Sequence, residues 1–185
     1  MSTTNSNVFE SRVGGITVRG QAHSLSAWFV LALRLMMGVA FLNAGLAKVM
    51  EAGWSAGGYL QFSAATNGNP LASVFAWMGS TPWFVSFLNV AVPYGEVAIG
   101  LGLIVGLMTR LAAFFGAFMM LMFYFGNWSV EHGVINGDFA YMLVFLAVAA
   151  FGAGHILGLD AKVEQLKVDG VPLVEKYPVL SYVLG

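Results

Sequence analysis

Four apolar runs, at residues 27–50, 83–108, 111–126 and 139–157, decide what this chain can fold into. A helix that crosses the hydrocarbon layer needs about 20 mainly apolar residues. Lipid offers the backbone no hydrogen-bond partner, so each crossing segment has to satisfy its own N–H and C=O groups as a helix. Charged residues make up 9% of the chain and hydrophobic ones 58%, against about 25% charged in a soluble domain. The fold class expected is therefore all-α, an integral membrane four-helix bundle that is multi-pass in the cell (plasma) membrane.

Thr109 and Arg110 separate the second and third runs so briefly that these two should form an antiparallel helical hairpin. An even number of crossings puts both termini on one side. Arg12, Arg19, Arg110, Lys162, Lys167 and Lys176 fall on that side, with Lys48 alone opposite. Basic residues are retained on the cytoplasmic side of short loops, so both termini are expected in the cytoplasm. Three segments follow: a polar cytoplasmic N-terminal segment at 1–26, a four-helix domain at 27–157, and a cytoplasmic tail at 158–185. The first 24 residues lack the continuous apolar core of a cleavable signal, so the first run should remain as an anchor.

Two outer loops result, at 51–82 and 127–138. The longer carries Tyr59, Leu60, Phe62, Val74, Phe75, Trp77, Met78 and Trp83 among Gly, Asn and Ser residues. Such amphipathic aromatics suit the headgroup layer. The loop is expected either as short interfacial helices or as a lid over a site between the spans.

Ionisable residues inside the runs are the first functional candidates, since an unpaired charge at mid-bilayer costs about 2.5–3.5 kcal/mol or more. Arg34, Gly38, Phe41, Gly45 and Lys48 recur at steps of four and three and share one face of the first helix. Asn89, Pro93, Glu96 and Gly100 do the same in the second. At about 1.5 Å per residue, Arg34 lies roughly 10 Å and Glu96 roughly 18 Å from the cytoplasmic ends, a difference that an arginine side chain can bridge. The expected centre is an Arg34–Glu96 ion pair, with Asn89 above it and the Asn89 carbonyl left free by Pro93. The pair reads either as a clip that fixes helix register or as a ligand- or proton-handling site.

A second polar group gathers at the outer surface: Lys48, Asn127, Glu131, His132, Asn136 and Asp138. It reads as hydrated loop chemistry, or as an anion site using Lys48 with His132. The absence of cysteine removes disulfides, thiolate clusters and thiol nucleophiles. His23 and His155 are poorly placed for a shared haem, no metal-ligand pattern occurs, and no basic run suits nucleic acid. No covalent cofactor is expected. Gly102 with Gly106, and Ala112 with Gly116, permit close helix approach within the chain or in a homo-oligomer. The many Met and Phe residues read as core or lipid-facing filler, although such walls also suit a flat quinone headgroup.

The pattern resembles the DoxX/DoxD family. The residues that carry the likeness are Arg34, Gly38, Phe41, Gly45 and Lys48, then Glu96 with Gly100 to Gly106 and Thr109–Arg110. The sequence Asn127-Trp128-Ser129-Val130-Glu131-His132-Gly133 with Asn136 and Asp138, and the closing Gly-His-Ile-Leu-Gly-Leu-Asp at 154–160, add to it. The likeness spans roughly residues 27 to 165. It implies a relative of the small membrane subunit of thiosulfate:quinone oxidoreductase, using a membrane quinone and a membrane-protein partner. The residues it brings forward are Arg34, Lys48, Glu96, Asn127, Glu131, Asn136 and Asp138. A non-enzymatic scaffold or accessory subunit is the competing expectation.

Overall fold

The computed structural model describes residues 8–66, 68–128 and 135–185. A β-hairpin of β1 (Val8–Val13) and β2 (Ile16–Gln21) leads into helix α1 (Ser26–Met50). Two short helices follow, α2 (Gly57–Ala65) and α3 (Ala72–Ser80), and then the long α4 (Pro82–Val105) and α5 (Thr109–Gly126). After α6 (Gly137–Ala150) comes a 3-10 turn at Ala153–His155. The chain closes with α7 (Asp160–Glu164), a second small hairpin of β3 (Lys167–Val168) and β4 (Val171–Pro172), α8 (Leu173–Lys176) and a 3-10 turn. The fold is mostly helical, and α1, α4 and α5 are long and apolar enough to cross a membrane.

The outward faces of these helices carry Trp28, Phe29, Val39, Phe87, Val90 and Phe114, all at least half exposed or nearly so. Charge lies inside: Arg34, Glu96 and Asp160 are all at most 2% exposed. A water-soluble protein has the opposite arrangement.

Glycines bring α1 and α4 together as an antiparallel pair. A Cβ at Gly100 would lie 2.5 Å from the Leu42 nitrogen and 2.8 Å from the Gly38 oxygen. One at Gly45 would lie 2.7 Å from the Val97 nitrogen. Backbones this close gain dispersion along the whole contact, which is the main attraction available between helices in lipid. Helix α5 offers Gly116 to α6, where the Phe145 ring occupies the space of the missing side chain. That ring is fully buried and meets Phe41 edge-on at 4.8 Å between centroids. The small residues at 102, 112 and 116 thus serve packing within the chain. In sequence around the core, α1 touches α4, α4 touches α5, α5 touches α6, and α6 returns to α1.

The hairpin expected at Thr109–Arg110 turns slightly earlier. Gly106 adopts the left-handed conformation at φ 69°, with Leu107 N–H donating to Gly102 O at 2.9 Å, and α5 begins at Thr109. The fourth apolar run behaves differently from the other three. Its helix stops at Ala150 because Gly152 turns left-handed at φ 58°, leaving 14 residues, roughly 21 Å of helix. Two β-hairpins were also not expected of an all-α chain. Each closes on a two-residue turn with positive φ at both positions, Gly14–Gly15 and Asp169–Gly170, the geometry that matches strand twist.

Replacing Gly100 with Val forces α1 and α4 apart, since the obstacle is backbone. The expected loss is about 3 kcal/mol, the upper range for overpacking. It should appear as a lower midpoint of thermal unfolding in detergent. An unchanged midpoint would show that the two helices are not in this contact.

Candidate ligand cavity and buried ion pair

The two cations of α1 go to different partners. Lys48 Nζ donates to Glu96 Oε2 at 2.7 Å and Oε1 at 3.0 Å, and to the Ala44 carbonyl at 3.3 Å. Arg34 Nη1 donates instead to the carbonyls of Ala153 and Ile156. The Arg34–Glu96 pair expected from the sequence is therefore replaced by Lys48–Glu96. Helical side chains lean toward the N-terminus of their own helix. Lys48, near the end of α1, leans back into the protein. Glu96, on antiparallel α4, leans toward it, while Arg34 leans away. Depth along the helix axis favoured the wrong pair because it took no account of this lean.

Arg34 has its own structural task. Where α6 breaks down after Ala150, the guanidinium donates to the Ala153 carbonyl, which also accepts Ile156 N–H in the 3-10 turn, and to the Ile156 carbonyl at the end of that turn. The carboxylate whose charge acts on it is Asp160. Asp160 is fully buried and accepts from the Met108 and Thr109 N–H groups at the start of α5, at 2.7 and 2.9 Å, and from Gly185 N–H at 3.1 Å. A carboxylate at a helix N-terminus meets unpaired N–H groups and the positive end of the helix dipole. Glycines at 106, 154 and 158 leave room for this knot; a Cβ at Gly154 would lie 2.1 Å from Asp160 Oδ2.

At the opposite end, α4 and α5 diverge from their shared turn, and the space between them is a cavity of about 770 Å³. This is within the roughly 300–1,000 Å³ usual for small-molecule sites. Ala91, Gly95 and Ala98 of α4 give it width, and Phe115, Phe118 and Met119 of α5 form the facing wall. Phe115 and Phe118 are half exposed, so the cavity communicates with the apolar outside of the protein. Trp54, Tyr59, Phe75 and Met78 close its end, which makes the loop both helical and a cover.

Polar groups border the cavity at one end only: Lys48, Ser55, Tyr59, Asn127 and Asp138. Tyr59 O–H donates to Asn127 Oδ1 at 3.2 Å, and Asn127 Nδ2 donates to Asp138 Oδ2 at 2.8 Å. Burial pushes the Tyr59 phenol up to about 12, so it is a donor at neutral pH. Asn89 holds the cover in place, accepting from Ala56 N–H at 2.8 Å and Ser55 O–H at 3.3 Å. Asn136 caps α6, accepting from Phe139 N–H at 3.0 Å. Glu131 and His132 lie outside the described residues. Among the described residues, no group of His, Cys, Asp or Glu is arranged to hold a metal ion.

Of the residues expected from the sequence, the structure brings Lys48, Asn127 and Asp138 to the cavity border, sets Glu96 on Lys48 behind it, and gives Arg34 other partners. Sequence reasoning did not single out Tyr59 or the Ala91, Gly95 and Ala98 row. The signal for that row is small residues at steps of four and three on a face of α4 opposite the Gly100 face.

The ion pair has a thermodynamic signature. Lys48→Met leaves Glu96, 3% exposed, without a counter-charge. The expected loss is about 3 kcal/mol, at the low end for a buried pair because Lys48 keeps some solvent contact. Lys48→Met with Glu96→Gln should recover most of it, whereas Arg34→Met and Glu96→Gln should add independently. Coupling between 34 and 96 in unfolding measurements, with none between 48 and 96, would contradict this pairing.

A family profile described as DoxX matches residues 29–128, which contain all but the first turn of α1, the whole of α2 to α5 and both helical walls of the cavity. No curated protein and no solved structure gives a significant match. The matched stretch is over half of the chain, and it ends before α6 and Asp160. With three helices able to cross a membrane and charge buried at their contacts, this chain is a membrane protein that belongs to the DoxX family.

Proposed function

We propose that this chain is the quinone-binding subunit of a membrane oxidoreductase. The observation that carries the reading is the cavity between α4 and α5: apolar and aromatic along its length, open toward lipid, and polar at one end. That polarity gradient matches an isoprenoid quinone, whose tail belongs in lipid and whose headgroup carries two carbonyl oxygens. The Asn127 amide, which has a second N–H beyond the one given to Asp138, is the donor that would hold a headgroup carbonyl, with Tyr59 beside it and Lys48, its ammonium turned onto Glu96, at the same end. Phe115, Phe118 and Met119 would flank the ring. Bound there, a quinone supplies the capacity to accept two electrons and two protons.

The chain has no cysteine, so it holds no thiolate-bound cluster of its own; in this reading electrons come from a partner subunit or a dissolved donor. The resemblance points to thiosulfate as that donor, and the anion site expected for it from the sequence is Lys48 with His132. Lys48 is turned onto Glu96, so the proposal is confined to the quinone half. Four crossings, with both termini in the cytoplasm of a plasma-membrane protein, complete the reading. The turn and 3-10 segment after α6 would add the depth that its 14 residues lack.

Purified protein in lipid vesicles should bind decylubiquinone saturably, quenching the fluorescence of Trp54 at the cavity wall. Ala91→Trp fills the cavity and should weaken that binding at least about tenfold, or more than about 1.4 kcal/mol. Binding that is unchanged in Ala91→Trp, or absent from the native protein, would remove the quinone site and leave the scaffold or accessory role.

A further inference from the structure

We infer that the α4–α5 cavity selects amphiphiles with uncharged headgroups and rejects anionic ones. The inference rests on reading the cavity as an amphiphile site, and it specifies the class of ligand. Among the described residues, three titratable side chains border the cavity: Lys48, Tyr59 and Asp138. Lys48 is a cation with nothing left to give. An ammonium group has three N–H donors, and the Lys48 ammonium is in contact with both Glu96 oxygens and the Ala44 carbonyl. Its charge is matched by a carboxylate that is itself buried.

Tyr59 is neutral, and Asp138 carries a carboxylate held by the Asn127 amide. Among the described residues, an anionic headgroup at this end therefore meets a like charge and no free cation. Solvent reaches Asp138 and weakens the repulsion there, while the apolar walls on the remaining sides offer an anion no compensating hydrogen bond. An uncharged headgroup has no such opposition: a carbonyl or hydroxyl oxygen can accept the second N–H of the Asn127 amide, and a hydroxyl can also donate to the Tyr59 oxygen.

Tritiated oleyl alcohol and tritiated oleate share a chain and differ at the headgroup, and their binding to the full-length protein in uncharged detergent at mildly alkaline pH tests the inference. The alcohol should bind at least about tenfold more tightly than oleate. Glu96→Gln releases Lys48 and should raise oleate affinity about tenfold. If that variant does not fold, Asp138→Asn should shift the ratio in the same direction, because it removes the opposing charge at the surface. Oleate bound as tightly as the alcohol in the native protein, or neither one bound, would overturn the inference. Bound oleyl alcohol that decylubiquinone fails to displace would support the selection while removing the quinone reading.

Discussion

A charge inside an apolar layer has to be answered by another group, and the answers found for Lys48 and Arg34 organise this protein. Lys48 leans back along α1 onto Glu96 of α4, fixing how far one helix slides against the other. The glycine contacts at 38, 45 and 100 occur in the same register as that pair. Arg34 leans the other way and donates to the carbonyls of Ala153 and Ile156 in the turn where α6 has ended. One helix thus anchors both ends of the structure, with an ion pair at one end and hydrogen bonds to the backbone at the other. Buried pairs of this kind contribute more to a unique register than to net stability.

The cavity is a consequence of this arrangement. At the turn between α4 and α5, Gly106 and the buried Asp160 bring the two helices together. Further along, α4 is committed to α1 through its glycine face, and α5 is committed to α6 through Gly116 and Phe145. Neither can follow the other, so they part. The short helices α2 and α3 cover the opening, tied down by Asn89 and by the Tyr59–Asn127 bond. Phe and Met side chains line the gap without filling it.

Much of this was legible in the sequence. Hydropathy marked four runs, of which three are helices long and apolar enough to cross a membrane, and the four-and-three spacing found the buried face that bears Arg34, Gly38, Phe41 and Gly45. What failed was direction: spacing gives the face but not the lean of a side chain along the axis, and so Glu96 was assigned to Arg34. Asp160 was seen only as part of a resemblance, because a carboxylate after the last apolar run looks like ordinary solvated charge until the chain folds back onto α5. The β-hairpins were missed because their strands are short and mixed in polarity, although Val13, Ile16 and Val18 share one face of the first. Gly14–Gly15 was the available clue. Small residues on α4 carry a double meaning in sequence, since they can admit a helix at Gly100 or leave a space at Gly95.

The central claim is that the space between α4 and α5 exists to hold an uncharged apolar molecule drawn from the membrane. Its most direct test is to purify the chain from native membranes in a mild detergent and identify the small molecules that remain bound by mass spectrometry. The account predicts one uncharged isoprenoid, a quinone, in near-equal molar amount to the protein. A preparation that carries only anionic phospholipid, in proportion to the surrounding membrane, would contradict it.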